Sequence, residues 1–210
     1  MRNGFVLFAT VLALLLTALL PAAAAAGGAA RTHDGLFLRL SGGAGTANSS
    51  IEIEAMGAKI ELSGSAVDMN FAIGGMVAPN LAVHGTLWGW SMEEPDLEIT
   101  IPGYGSESGR VSGTAMMTAI GAGVTYYFMP VNMYASGSVG IGTLEFTEDN
   151  ESKTDSGPAL DLTVGKEWWV GNSWGLGLAG GFSYHSLPEK DVDENWSGTS
   201  FALRFSATFN

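Results

Sequence analysis

Apolar and polar side chains alternate strictly along much of the chain. Leu36, Leu38 and Leu40 share one face of such a stretch, and Phe201 and Leu203 share one face of another near the end. Successive side chains of a β-strand point to opposite sides, so this period of two predicts strands with one apolar and one polar face. No stretch keeps a helical period equally well, and we therefore predict an all-β chain.

The alternation predicts eight strands, with boundaries uncertain by about 2–4 residues. The predicted strands are 35–45, 65–77, 81–92, 111–128, 133–146, 158–170, 174–187 and 198–209. Three connections are tight turns rich in Pro, Asn, Gly and Ser, namely 78–80, 129–132 and 171–173. Four connections are long: 46–64, 93–110, 147–157 and 188–197. Within the first of these, residues 51–62 fit a strand extension or a helical turn.

The charge of the chain is concentrated in the long connections. The formal net charge is −12, and these four segments hold sixteen carboxylates against four cationic side chains. Nucleic-acid binding requires a basic surface, so no nucleic-acid partner is expected. The chain contains no Cys, which excludes disulfides, a thiolate nucleophile and a thiolate metal site.

Residues 1–26 have the features of a Sec-type signal peptide. Arg2 gives a positive start, residues 5–20 form the apolar run, and small residues up to Ala26 supply a cleavage site. The run is shorter than the roughly 20 residues of a membrane span, which favours a signal peptide over an anchor. Cleavage near Ala26 leaves an N-terminal tail and a barrel domain, residues 27–34 and 35–210.

Short turns at one end and long polar loops at the other are typical of outer-membrane barrels. A soluble, lipocalin-like barrel is the alternative, but it would carry Lys and Glu along the outer strand faces, which are nearly charge-free here. We therefore predict an eight-stranded antiparallel up-and-down transmembrane β-barrel with short periplasmic turns and long extracellular loops. Aromatic residues near both ends are predicted to form girdles at the membrane interfaces: Trp88, Trp90, Tyr126, Phe128, Trp168, Trp169, Trp174 and Tyr184.

Particular segments resemble small bacterial outer-membrane β-barrel proteins, the broad group of OmpA, OmpX and OmpW. The last strand is similar to the C-terminal strand of these proteins, with Phe205 and Phe209 as the alternating aromatics of an assembly signal. The group usually ends on the aromatic residue, whereas Asn210 follows here. The turn at 78–80 and the segment 165–178 are also similar.

The resemblance implies a fold and a location in the bacterial outer membrane. It also implies partners: outer-membrane lipid, lipopolysaccharide, the barrel-assembly machinery and periplasmic chaperones. It does not imply one activity. The favoured function is a structural or surface-interaction role.

Strand parity predicts a polar network in the lumen. An eight-stranded barrel is just wide enough to be filled by side chains, and buried charges are costly unless they pair. We predict a plug in which the two Arg pair with acids, and a narrow ion or small-solute channel is the alternative. The predicted network comprises Arg39, Asp68, His84, Asp161, Glu167, His185 and Arg204.

Other candidate chemistry is weaker. Ser183 and His185 share a strand face, with Asp161 on the neighbouring strand, so a lipid-modifying hydrolase is a remote alternative. The glycine motif at 175–180 lies inside a strand and lacks the helix that a nucleotide site requires. One hypothesis for the acidic loops is that divalent cations bridge them to lipopolysaccharide phosphates, and the alternative is that the loops are simply solvated. No cofactor or defined metal site is predicted, and the chain is not expected to be an enzyme.

Overall fold

The alternating segments form antiparallel strands. The computed structural model describes residues 33–147, 151–190 and 192–210, so the predicted signal peptide lies outside the described residues. Among the described residues, no helix is long and apolar enough to cross a membrane. The strands within these ranges are β1 (Leu36–Ile53), β2 (Ala58–Ala78), β3 (Leu81–Glu93), β4 (Asp96–Ile101), β5 (Gly105–Arg110), β6 (Thr114–Phe128), β7 (Met133–Thr147), β8 (Glu151–Lys153), β9 (Gly157–Trp169), β10 (Trp174–Pro188) and β11 (Asn195–Phe209).

Eight of these strands form a closed ring. The order around the ring is β1, β2, β3, β6, β7, β9, β10 and β11, and every neighbouring pair is antiparallel. The ring closes where β1 pairs with β11, from Leu38 opposite Phe209 to Ser50 opposite Ser197. Closure leaves the ring without an exposed edge strand. The predicted eight-stranded up-and-down fold is confirmed.

The loop end of the ring is more ordered than predicted. The segment 46–64 is a β-hairpin, because β1 and β2 stay paired as far as Ile53 opposite Ala58. The segment 93–110 also contains a hairpin, β4–β5, and β4 pairs with β2 beyond the point where β3 ends. Of the two alternatives for residues 51–62, the strand extension is therefore the one observed, and the hairpin within 93–110 was not predicted. Strand pairing buries Ile51 and Leu62 there, and an open loop would leave both in water.

The outward face of the ring is a band of exposed apolar side chains. Leu203 is 78% exposed and Phe205 73%, although both lie in the middle of a paired strand. A soluble protein rarely exposes so large a continuous apolar surface. Other members of the band are Val67, Ile73, Val83, Leu87, Ile120, Val124, Val139, Ile141, Leu162, Val164, Leu176, Leu178 and Phe201.

The inward face is filled by three layers of side chains. The layer nearest the long loops is apolar, with Trp88, Trp90, Met92, Met117 and Leu144 among its buried members. The middle layer is polar and charged. The layer nearest the short turns mixes aromatic and polar groups, with Phe37, Tyr127 and Tyr134 fully buried.

Candidate functional site

A charged cluster occupies the middle of the lumen. Arg204 on β11 donates hydrogen bonds to Asp68 on β2 and Asp161 on β9, with Nη2 2.9 Å from Asp68 Oδ2 and 2.6 Å from Asp161 Oδ2. All three side chains are almost completely buried. Asn70 and Thr163 donate further hydrogen bonds to Asp161 Oδ1, at 3.0 and 3.2 Å. One buried cation therefore connects two carboxylates on separate strands.

Arg204 has room because of a glycine on the next strand. Gly181 on β10 faces the lumen, and a Cβ at this position would lie 2.3 Å from Arg204 Cζ. Its neighbour Gly180 faces outward, and a Cβ there would meet nothing within 4 Å. Interior glycine is therefore required where a large polar side chain lies across the neighbouring strand.

A chain of hydroxyl groups connects His84 to Arg39. His84 Nε2 lies 2.9 Å from the Thr125 hydroxyl, and Nδ1 lies 2.7 Å from the Thr86 hydroxyl. Thr125 donates to Ser136 Oγ at 2.9 Å, and the same oxygen accepts from Arg39 Nη2 at 2.8 Å. The structure therefore links these two predicted lumen residues through Thr and Ser rather than through carboxylates.

Arg39 and Glu167 are buried near the short turns without a salt bridge. The guanidinium of Arg39 lies 4.6 Å above the Tyr134 ring, and no carboxylate in the described ranges comes within 4.0 Å of it. Glu167 Oε1 accepts a hydrogen bond from Thr208 at 2.6 Å. The prediction that both arginines pair with acids is therefore wrong for Arg39. Its stacking on an aromatic ring supplies a cation–π contact instead.

The residues of the hydrolase hypothesis each have another partner. Ser183 Oγ is hydrogen-bonded to Ser200 Oγ at 2.7 Å, and His185 Nε2 to Ser49 Oγ at 2.9 Å. Asp161 is engaged by Arg204. A nucleophile and its base must lie within hydrogen-bond reach of each other, so the observed partners do not build a catalytic triad.

Two of the predicted girdle residues lie inside the barrel. Trp88 and Trp90 are only 2% exposed and belong to the apolar layer, so their assignment to a membrane girdle is wrong. The reason is parity: His84, Trp88 and Trp90 are separated by even numbers of residues and share the inward face of β3. The alternation therefore indicates which face of the strand a residue occupies better than its nearness to the loops does.

The other predicted girdle residues divide between the two faces. Trp169 shares the inward parity of Glu167 and lies 4.9 Å from the His33 ring, so its girdle assignment is also wrong. Trp174 is half-buried and packs edge-on against Phe209 at 5.3 Å, whereas Phe205 points outward. The remaining girdle residues are exposed on the outside: Tyr126, Phe128, Trp168 and Tyr184.

The predicted N-terminal tail is partly inside the barrel. His33 is 3% exposed, its ring stacks on Tyr127 at 3.6 Å, and Nε2 lies 2.7 Å from Asn132 Oδ1. Within the predicted N-terminal tail, 27–34, the His33 side chain therefore packs inside the barrel. One side chain gives no periodicity, so no sequence signal indicated this contact.

The acidic loop end carries ordinary polar contacts where it is described. Lys59 donates to Glu61 at 2.8 Å, and this hydrogen bond raises the pKa of Lys59 above its usual value. Trp196 Nε1 donates to Glu189 at 2.8 Å. No group of three or more potential metal ligands comes together within the described part of the chain. Glu148, Asp149 and Asp191 lie outside the described residues, so the cation hypothesis stays a prediction.

The closed ring of eight antiparallel strands is the fold of small bacterial outer-membrane β-barrel proteins. Neisserial surface protein A has a similar structure, with a TM-score of 0.57 and 15% identity over 84% of this chain and 99% of that one. OprG from Pseudomonas aeruginosa follows, with a TM-score of 0.48 and 14% identity over 87% and 100% of the two chains.

A third similar structure is Ail of Yersinia pestis, the attachment invasion locus protein, solved in complex with the heparin analogue sucrose octasulfate. Its TM-score is 0.44, with 13% identity over 83% of this chain and 99% of that one. No family model and no curated protein matches the chain. At these identities the comparison with the Neisserial protein establishes the fold.

Adding a methyl group at Gly181 should destabilise the barrel. We expect Gly181→Ala to lower the free energy of unfolding by roughly 1–3 kcal/mol, because Arg204 is held by two carboxylates and cannot move aside. Gly180→Ala is the matched control and should leave stability nearly unchanged. Urea unfolding in detergent micelles measures the free energy of unfolding of both variants. An equal loss of stability in the two would contradict the packing of Gly181 against Arg204.

The buried and exposed arginines should differ sharply in their contribution to stability. Arg204→Ala leaves two buried carboxylates without their cation and should cost about 3–5 kcal/mol. Arg110→Ala removes an exposed pair with Asp96, at 3.4 Å, and should cost about 0–1 kcal/mol. The two variants are compared by the temperature at which half of the protein has lost the gel mobility of the folded barrel. A similar midpoint for both would show that the Arg204 cluster is not essential for stability.

Proposed function

We propose that the chain is a bacterial outer-membrane barrel with a closed lumen and a structural or surface-interaction role. The observation that carries this proposal is the filling of the interior. The charged cluster of Arg204, Asp68 and Asp161 lies below an apolar layer that contains Trp88 and Trp90. Side chains with this burial occupy the space that a conducting pore would need.

The apolar band supports the membrane location. Its side chains point away from the ring. The exposed positions at mid-strand in β6 and β7, such as Ile120, Val139 and Ile141, are apolar. Water would solvate such a surface poorly, whereas hydrocarbon suits it. Outward aromatic residues lie near both ends of the band, with Trp168 at the short turns and Tyr184 toward the long loops.

The loop end supports the surface role. There β1, β2, β4 and β5 continue as a sheet beyond the end of β3 and carry polar side chains into the surroundings. Tyr104, at the tip of the β4–β5 hairpin, is 92% exposed, and Met56 on the adjacent hairpin is also exposed. A paired sheet with exposed apolar groups suits contact with another surface.

A charge placed in the apolar band should weaken membrane insertion. Val139→Arg should reduce the stability of the folded barrel in bilayers by about 2–4 kcal/mol, as expected for a cation at mid-membrane depth. Ser108 lies on the exposed strand β5, so Ser108→Arg should have little effect on the stability of the folded barrel. Refolding into lipid vesicles under a urea gradient measures both variants, and an unperturbed Val139→Arg barrel would contradict the membrane location.

The folded barrel should not conduct ions. We expect mature protein in a planar bilayer to give no discrete current steps, because the middle and loop-end layers fill the lumen. A difference in gel mobility between unheated and boiled samples confirms that the inserted protein is folded. Ion-selective steps from folded protein would overturn the closed lumen and favour the channel alternative.

A further inference from the structure

The β4–β5 hairpin has two different faces. Leu97 packs against the apolar loop-end layer of the lumen, so the face that it shares with Ile99 and Ile101 is the inner one. The outer face carries the ion pair of Arg110 and Asp96. The inner face is only partly covered, because Ile99 is 36% exposed and Ile101 is 42% exposed. The hairpin therefore presents an apolar surface beyond the end of β3.

Strand β5 adds almost no side chain to this inner face. Gly109 lies opposite Leu97, and a Cβ built on it would meet nothing within 4 Å. Gly105 lies opposite Ile101, and a Cβ there would also meet nothing within 4 Å. Glu107 is the one inward side chain between the two glycines. We call the inner face of residues 105–109, bordered by the apolar side chains of β4, the hairpin trough.

The carboxylate of the hairpin trough has no cationic partner. No Lys or Arg of the described residues comes within 4.0 Å of Glu107. Lys59 and Arg110 lie on the outer face of the same sheet, where each already pairs with a carboxylate. Lys and Arg side chains lay a hydrocarbon stem on apolar surface while the charged head stays in water. A carboxylate beside exposed isoleucines is therefore complementary to a basic side chain.

The hairpin trough has the dimensions of an extended chain. Leu97, Ile99 and Ile101 are alternate residues of β4, so their side chains lie about 6.8 Å apart on one face. An extended peptide presents its own alternate side chains at the same interval, whereas a helix of about 10 Å diameter is wider than the one strand that forms the trough. A basic side chain over Glu107 then has neighbours over the two glycines, where there is room for apolar groups.

We propose that the hairpin trough binds an extended peptide segment of a partner protein, in which a basic residue is flanked two positions before and after by apolar residues. The basic group pairs with Glu107. The apolar side chains lie over Gly105 and Gly109 and contact Ile101 and Leu97. The proposal rests on the surface role in the proposed function and deepens it, because it names the site and the chemistry of the partner.

A labelled peptide of this pattern tests the proposal. The probe is Ser-Leu-Ser-Arg-Ser-Leu-Ser with a fluorophore, titrated with the folded barrel in lipid nanodiscs and followed by fluorescence anisotropy. Empty nanodiscs measure binding to lipid. We expect saturable binding to the barrel that weakens as the salt concentration rises, because a partly exposed ion pair is screened. Absence of saturable binding would overturn the proposal and leave the closed lumen intact.

Removal of the inward charge should weaken this binding. Glu107→Gln keeps the shape of the side chain and should raise the Kd of the peptide about threefold to fivefold, as expected for an exposed ion pair. Glu98→Gln removes a charge from the outer face of the same hairpin and should leave the Kd unchanged. Equal Kd values for the parent chain and both variants would contradict the role of Glu107.

Filling the hairpin trough should also weaken binding. Gly109→Leu places a side chain where the structure has open space, so the barrel should fold normally while the Kd rises about tenfold through loss of apolar contact. Ser108→Leu points to the outer face of the same strand and is the matched control. An equal rise in Kd for the two variants would show that the peptide does not lie in the trough.

An exchange of charge tests direct pairing. Glu107→Arg should reverse the preference of the barrel, so that it binds the peptide with Glu at the central position more tightly than the peptide with Arg. Gel mobility before and after boiling confirms that each variant is folded. An unreversed preference in folded Glu107→Arg would overturn the proposed site. The proposed function would still stand in that case, because it is tested separately by membrane insertion and conductance.

Discussion

The guanidinium of Arg204 carries a full charge at a place that water does not reach. Its stability there depends on Asp68 and Asp161, which lie on strands to either side of β11, and on a glycine that leaves room for it. Because the three charges come from β2, β9 and β11, they satisfy one another only when the ring is closed in one register. Burial of one cation therefore constrains strand order, pairing register and the small residues of the middle layer.

The other layers follow from this constraint. Toward the long loops, Trp88, Trp90 and Leu144 fill most of the lumen with apolar volume. The buried hydrogen bond between His185 and Ser49 lies beside Trp90. Below the cluster, Arg39 rests on Tyr134 and reaches His84 through hydroxyl groups. A barrel built in this way has an interior that is mostly apolar at the long loops, charged in the middle, and mixed aromatic and polar at the short turns, with an apolar band outside.

The fold was predictable because the alternation of side chains has a physical cause that acts residue by residue. The same parity that correctly placed His84 inside also placed Trp88 and Trp90 inside, and their nearness to the loops misled the girdle assignment. The contact of His33 with Tyr127 and the stacking of Arg39 on Tyr134 could not be predicted, because each depends on the three-dimensional distance between strands that are far apart in the chain. The sequence of residues 51–62 fits a strand extension or a helical turn for a related reason, because the pairing of Ile51 with Ile60 on the opposite strand decides between them.

A double-mutant cycle between Arg204 and Asp68 tests the central claim most directly. The unfolding free energies of Arg204→Met, Asp68→Asn, the double variant and the parent chain are compared in the same micelles. If the buried ion network sets the register of the ring, the two changes should be strongly non-additive, with a coupling energy of about 1.5–3 kcal/mol. Additivity within about 0.5 kcal/mol would mean that the two charges act independently, and that another interaction sets the register of the ring.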